Sequence, residues 1–330
     1  MKPRVALFIG DPAGVGPELV ARLLADPETT RRADVLLIAS HASVAAGVRA
    51  AGVEFELTTG GATDGRPALV SWRGIDAPDF PLGQAGADNG RFMLEGLAAG
   101  VALVRGGVAH AMCFAPLNKG ALRAGGMNHP DEMHWFAEVL GWTGPCVEFN
   151  VLEDLWTSRI TSHVPLKDVA GMLSVSGVAD GIGLLYRGLQ SAGKRQPRLA
   201  VCALNPHAGD GGNFGREEIE IIEPGVRLAA GQGWPADGPF PADTIFVRAR
   251  GGAYDGIVTM YHDQGQIAMK LMGFERGVTV QGGLPIPITT PAHGTAYDIA
   301  GQGKANVGAL RNAFVLACEM ARGRAEQGPH

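Results

Sequence analysis

Short, almost wholly apolar runs recur along this chain, each followed by a turn rich in Gly or Pro and then by a stretch with helical periodicity. Residues 5–9, 35–39, 111–115, 199–204 and 256–260 are the clearest. Such runs are too short for core helices and lack polar alternation, the pattern of strands buried on both faces of a parallel sheet. Helix starts follow several of them. Pro17 and Glu18 open an apolar-periodic stretch to Leu24, Asn89 stands as a cap for a helix through Val104, and Glu217 and Glu218 place acid in a first turn ahead of Ile219 and Ile222. The expectation is an α/β protein with a mainly parallel sheet. Its 49 glycines and 6% aromatic residues suit tight strand-to-helix turns that carry ligands.

Composition narrows the function classes. The 28 basic and 33 acidic residues give a formal charge of -5 with no long run of either sign, so a nucleic-acid partner is not expected. With 330 residues, 46% of them hydrophobic, the chain can bury a large core in two lobes or two domains. Cys113, Cys146, Cys202 and Cys318 stand far apart without paired metal-ligand spacing. That indicates neither a disulfide framework nor a cysteine zinc site, and fits a reducing cytoplasm. Lys2 and Arg4 ahead of an apolar run superficially resemble a signal peptide, but the run stops at Gly10 and Asp11 after one strand's length. No window approaches the ~20 apolar residues of a membrane span, because Arg105 and His110 interrupt the longest candidate. A soluble protein with no membrane partner is expected.

Three histidines sit in unusual company: His163 before Val164-Pro165, His207 after Asn205-Pro206, and His262 between Tyr261 and Asp263-Gln264-Gly265. The last two directly follow expected strands, so both emerge at strand carboxyl ends, where open α/β sheets bind ligands. Imidazole is a common ligand of divalent transition metals, and three leave positions free for substrate. A hydrogen-bonded loop histidine is the commoner case for any one of them alone. The glycine-rich segment from Gly10 to Glu18 lacks the Lys-Ser/Thr ending of a P-loop and the spacing of the dinucleotide fingerprint. Locally it is a tight strand-to-helix turn with Pro17 at a first helical position.

His163-Val-Pro-Leu, Leu204-Asn-Pro-His-Ala-Gly and Tyr261-His-Asp-Gln-Gly resemble, in order and spacing, the three metal-ligand segments of the 4-hydroxythreonine-4-phosphate dehydrogenase family. The likeness extends from Gly10-Asp-Pro-Ala-Gly-Val-Gly-Pro-Glu18 through Ala115-Pro-Leu-Asn-Lys119 and Pro241-Ala-Asp-Thr244 to His293-Gly-Thr-Ala-Tyr-Asp298, nearly the whole chain. The resemblance implies a two-lobed fold like that of isopropylmalate and isocitrate dehydrogenases, with a cleft between lobes. Residues 1–128 plus 275–330 would form the lobe with the NAD-binding loop, and 129–274 the lobe with the metal-site histidines. Residues 125–132 are the polar, Pro-containing stretch read as the weak point between them, and residues 193–197 form a second surface connection.

The same resemblance implies oxidation of a secondary alcohol next to a carboxylate, with hydride transfer to NAD and decarboxylation of the product. His163, His207 and His262 would hold a divalent metal: zinc, cobalt, nickel, manganese or magnesium. The segment from His293 through Gly294 and Asp298 to Asn306 is also similar to the adenosine-binding loop of the wider superfamily. There Asp298 would bond the ribose hydroxyls and disfavour the extra phosphate of NADP. Lys270 would offer positive charge to a carboxylate or phosphate, and Asp243 or Asp263 would accept a proton or orient a ligand histidine. Lys119 is a further candidate in the cleft. A homodimer with a shared active site is implied too.

The family's phosphate contacts are not all matched. Counting from His262, Lys270 is retained, but an Asn position falls on Thr279 and an Arg position on Ile288; a Gly-His-Thr-Glu segment is replaced by Asp131-Glu132-Met133-His134. Losing an Arg and gaining carboxylates is the wrong direction for a phosphate dianion. His134 or His129 could replace the missing histidine. A related branch oxidises cis-dihydrodiols of aromatic carboxylates such as terephthalate, and Ile288, Met133 and Trp135 could line an apolar pocket for such a ring, with plain core packing as the alternative for each. A histidine-metal hydrolase would use the same ion but leaves the His293 to Asn306 segment unexplained. A non-catalytic binding protein leaves the histidine triad unexplained.

Overall fold

The computed structural model describes residues 2–59 and 65–327. Chain order runs through strands β1 (Arg4–Phe8), β2 (Asp34–Ile38), β3 (Thr58–Thr59), β4 (Ala68–Leu69) and β5 (Ala111–Phe114). Next come β6 (Val147–Leu152), β7 (Leu155–Arg159), β8 (Leu199–Cys202), β9 (Ala236–Phe240) and β10 (Gly256–Thr259), and finally β11 (Val278–Gly282) and β12 (Ile288–Pro291). The chain forms two compact units, Met1–Gly144 with Val278–His330, and Pro145–Gly277.

In the first unit the strands lie in the order β3-β4-β2-β1-β5-β12-β11. All are parallel except β11, which runs antiparallel to β12. Val5 is in register with Val35 on one side and Ala111 on the other, and β1, β2 and β5 are almost wholly buried, as their uniform apolar character demands. The chain leaves β1 towards β2 and later returns to β5 on the other side of β1. The carboxyl end of β1 is therefore a topological switch point, the position where doubly wound sheets open a crevice. The segment from Gly10 to Glu18 begins there.

The second unit orders its strands β6-β7-β10-β8-β9, with β7, β10, β8 and β9 mutually parallel and β6 antiparallel to β7. Helix Val175–Ser191 packs on β7 and β10, and Ile245, Ile257 and Cys202 sit in a fully buried cluster on the sheet.

Two sequence readings move. Residues 129–144 belong to the first unit, and the divisions fall after Gly144 and Gly277 rather than after 128 and 274. Helix Glu132–Leu140 explains the shift: its Phe136 is fully buried against Phe114 of β5, with ring centroids 5.9 Å apart. Residues 125–132 are accordingly internal to that unit. Asn89 is not the cap of helix Ala87–Arg105: Gly86 occupies that position, and Asn89 accepts the Gly86 N–H from within the first turn at 2.8 Å. Among the described residues no single helix is long and apolar enough to cross a membrane.

Candidate functional site

The second unit brings the three histidines to one sheet edge. His163 follows β7, His262 follows β10 and His207 follows β8, and these three parallel strands are neighbours in the order β7-β10-β8. The strand ends are laced together beyond the ladder. Thr161 donates to the Met260 carbonyl through its amide at 3.1 Å and its hydroxyl at 2.8 Å. Gln264 accepts the Met260 N–H at 2.7 Å and donates to the Ala203 carbonyl at 2.7 Å, tying the end of β10 to that of β8.

The rings of His163 and His262 lie 5.4 Å apart, centroid to centroid. His262 Nδ1 is 2.7 Å from Asp263 Oδ1, a contact that restrains the ring and leaves Nε2 outside this bond, as carboxylates do behind metal-bound imidazoles. His207 is not gathered into this pair; its ring packs beside Phe214 at 6.2 Å. Among the described residues no set of three His, Cys, Asp or Glu side chains is placed to hold one ion. The chemistry of the donors still fits: two neighbouring imidazoles, tilted at 46°, with a third on the same edge suit zinc, cobalt, nickel or manganese better than magnesium.

The His207 loop has an unusual backbone. From His207 through Gly211 five successive residues take positive φ, between 46° and 79°, including the non-glycine residues His207, Ala208 and Asp210. Such a left-handed turn is unfavourable for L-residues and persists only where the surroundings over-determine it. Glu218 supplies the restraint. It is 2% exposed and accepts the N–H groups of Leu204 and Asn205, both at 2.8 Å, and the Asn205 side-chain amide at 2.9 Å. By sequence Glu218 is a helix-start acid, and nothing local to it signals this second use, because its partners lie 13 and 14 positions earlier.

Of the other expected residues in this unit, Asp243 is exposed in the first turn of helix Ala242–Arg250, and Lys270 is exposed in the last turn of helix His262–Gly273.

In the first unit, the 293–306 segment follows β12. Asp298 and Asn306 are exposed and His293 is half-buried, while the backbone between them is tied down. A Cβ added at Gly294 would meet nothing within 4 Å, so there is open space beside it. An exposed carboxylate and amide on an anchored loop, with room alongside, fit the ribose and adenine contacts expected of an NAD loop. Tyr297 donates to Asp11 Oδ2 at 2.5 Å. Burial pushes Asp11 above the usual carboxylate range, against the opposing pull of Tyr297, Ala13 and Asn89. Tyr297 is likewise pushed up, by burial and then by the adjacent carboxyl, which keeps it a hydrogen-bond donor.

The segment Asp131-Glu132-Met133-His134 opens helix Glu132–Leu140. Asp131 caps it, accepting the His134 N–H at 3.0 Å, with His134 Nδ1 2.6 Å away. Burial raises the Asp131 carboxyl, but the amide and ring of His134, aided by Lys119, hold it below its usual range. Glu132 is 4% exposed and ion-paired with Lys119, while His129 pairs with Glu138. Thr279 is half-buried on β11 opposite Thr290. Ile288 is 0% exposed within β12, and Met133 is buried, so core packing accounts for both; Trp135 stacks edge-on against Phe136. The thiols of Cys113, Cys202 and Cys318 are pushed up to about 12 by burial and offer no nucleophile.

Comparison with known proteins agrees with the α/β fold. The family model for pyridoxal phosphate biosynthetic protein PdxA matches residues 31–317. The chain belongs to the PdxA family. A Pseudomonas aeruginosa relative bearing the provisional name 4-hydroxythreonine-4-phosphate dehydrogenase 2 is 56% identical over 98% of both chains. The crystal structure of a 4-hydroxythreonine-4-phosphate dehydrogenase from Burkholderia phymatum superposes with a TM-score of 0.83 at 33% identity, covering 97% of this chain and 98% of that one. A terephthalate 1,2-cis-dihydrodiol dehydrogenase from Burkholderia xenovorans superposes at 0.66 with 26% identity, covering 93% and 95%. This PdxA-family chain is thus an α/β dehydrogenase, an oxidoreductase acting on a CH–OH group, and the hydrolase reading has no support.

Proposed function

We propose that this PdxA-family dehydrogenase is NAD-linked and metal-dependent, oxidising a secondary alcohol next to a carboxylate and releasing carbon dioxide from the resulting β-keto acid. The observation that carries the metal part is the placement of His163, His207 and His262 at the carboxyl ends of three neighbouring parallel strands, with two of the rings 5.4 Å apart. Bound there, a divalent cation supplies Lewis acidity that lowers the alcohol's pKa and favours charge on oxygen as carbon dioxide departs. NAD, which residues of the 293–306 loop would hold, would supply the hydride acceptor.

The chain's own groups do the rest. Asp263 holds His262 in one orientation. Asp243, exposed and on the same unit, or Asp263 would take up the hydroxyl proton, and Lys270, also exposed, would offer its cation to the carboxylate. A homodimer completing a shared active site, in the cytoplasm, belongs to the same reading.

The substrate that fits the first unit best lacks a phosphate. Lys119 is engaged by buried Glu132, and the position counted to the family's arginine is Ile288, sealed in the core. A dihydrodiol of an aromatic carboxylate, the kind of compound named for the Burkholderia xenovorans neighbour, is the non-phosphorylated candidate set against 4-hydroxythreonine-4-phosphate. NADH formation over a panel of phosphorylated and non-phosphorylated hydroxy acids and dihydrodiols, with and without chelator, tests both parts. Turnover confined to phosphate esters sinks the substrate reading. Alanine at each of the three histidines, leaving bound metal and turnover intact, sinks the metal reading.

A further inference from the structure

The glycine-rich turn after β1 is left without a role by the chemistry above, yet it holds two of the most deeply buried carboxylates in the protein: Asp11 is 0% exposed and Glu18 1%. Buried carboxylates are costly unless fully hydrogen-bonded, so their partners reveal their use. Glu18 accepts the backbone N–H of Gly303 at 3.2 Å and of Ala305 at 2.9 Å. Arg22, itself bonded to Glu18 at 3.1 Å, donates to the Gly303 carbonyl at 2.8 Å. Gly303 is therefore gripped through both of its backbone polar groups, at a φ of 71° that other residues rarely adopt. Asp11 takes the Tyr297 hydroxyl, and between the two carboxylates Val15 N–H donates to the Thr295 carbonyl at 3.0 Å.

Apart from the Arg22–Glu18 pair, each of these bonds ends on the backbone of residues 295–305 or on Tyr297. None uses His293, Asp298 or Asn306, the side chains assigned to the nucleotide. We infer that Asp11 and Glu18 are positioning residues for the cofactor. They hold the 293–306 loop in its binding-competent shape without touching the nucleotide, and so set affinity for its adenosine half. The inference rests on the reading of this loop as the NAD site. A loop that is competent only part of the time binds more weakly in proportion to that fraction.

The test measures Kd for NADH, AMP and nicotinamide mononucleotide on the full chain and on Tyr297→Phe and Glu18→Gln, with melting temperature as the folding control. Tyr297→Phe removes only a hydroxyl and is the milder probe. The expected result is a loss of roughly tenfold for NADH and AMP, the order set by one charge-assisted hydrogen bond, with nicotinamide mononucleotide unchanged. Folded variants that bind NADH and AMP as tightly as the parent overturn the inference, and so does an equal loss for the mononucleotide, which marks general damage. If the unsubstituted protein binds neither NADH nor AMP, the cofactor assignment itself fails, a result told apart by appearing without any substitution.

Discussion

Glu218 and Asp255 act as acceptors, each satisfied by several donors and each holding backbone in place. Glu218 is the brace of the His207 loop, and Glu218→Gln turns one acceptor oxygen into a donor facing donors. It is expected to destabilise that loop by about 1–3 kcal/mol and to raise hydrogen exchange at the Leu204 and Asn205 amides; unchanged exchange there counts against the brace. Asp255 accepts the Arg198 N–H at 2.9 Å and its guanidinium at 3.2 Å, with Lys194 at 3.4 Å. Burial pushes this carboxyl up, but the bonds from Arg198 prevail and hold it below the usual range. A depressed folded-state pKa gives stability that is present above the unfolded value, about 3.9, and is lost as pH falls through the folded one. Asp255→Asn is therefore expected to cost about 1–3 kcal/mol at neutral pH and progressively less below about pH 4. Denaturant melts across that range check it, and a cost independent of pH refutes the assignment.

At the level of elements, helix Ala87–Arg105 owes its seat to missing side chains. A Cβ at Gly90 would collide with the Ala121 carbonyl in helix Lys119–Ala124, and one at Gly96 with the Phe8 ring of β1. Gly90→Ala has no flexible neighbour to push aside and is expected to cost about 1–3 kcal/mol through overpacking, despite alanine's better helix propensity; a chemical-denaturation midpoint at or above the parent's refutes this. The strands with unbroken apolar runs, such as residues 5–9 and 256–260, were legible because burial on both faces leaves one reading. Strands β11 and β12 were not: Thr279, Gln281, Thr289 and Thr290 interrupt them, and a polar residue inside a sheet looks like a loop residue in one dimension. The histidines at strand ends were legible for the same reason as the strands. Asp11 and Glu18 passed as turn and helix-start residues because their partners lie nearly 300 positions away, at separations of 286 and 287 for the bonds to Tyr297 and Ala305. Residues 129–144 were assigned to the wrong lobe because a Pro and polar residues announce a connection, whereas Phe136 decides where the segment packs.

Taken whole, the molecule is one discontinuous unit interrupted by one continuous unit, Pro145–Gly277. The continuous piece carries five strands of its own in the order β6-β7-β10-β8-β9. Expressed alone, it is expected to unfold cooperatively and to bind cobalt through His163, His207 and His262, seen by calorimetry and by the visible spectrum of the ion. Residues 1–144 alone lack β12, the partner of β5, and helix Gly308–Gln327, which packs on β5 and β12, and are expected to show no cooperative transition. A sharp melt from that fragment contradicts the division.

This interruption also imposes an order on synthesis. The ribosome makes β1 first, yet β1's unit stays open until residues 278–327 emerge, so the half of the protein begun earliest is completed last. During that interval the apolar faces of β1, β2 and β5 wait without their final cover while the histidine-bearing half closes behind them. Chains arrested late in translation are therefore expected to resist protease across residues 145–277 while their amino-terminal stretch is still cut.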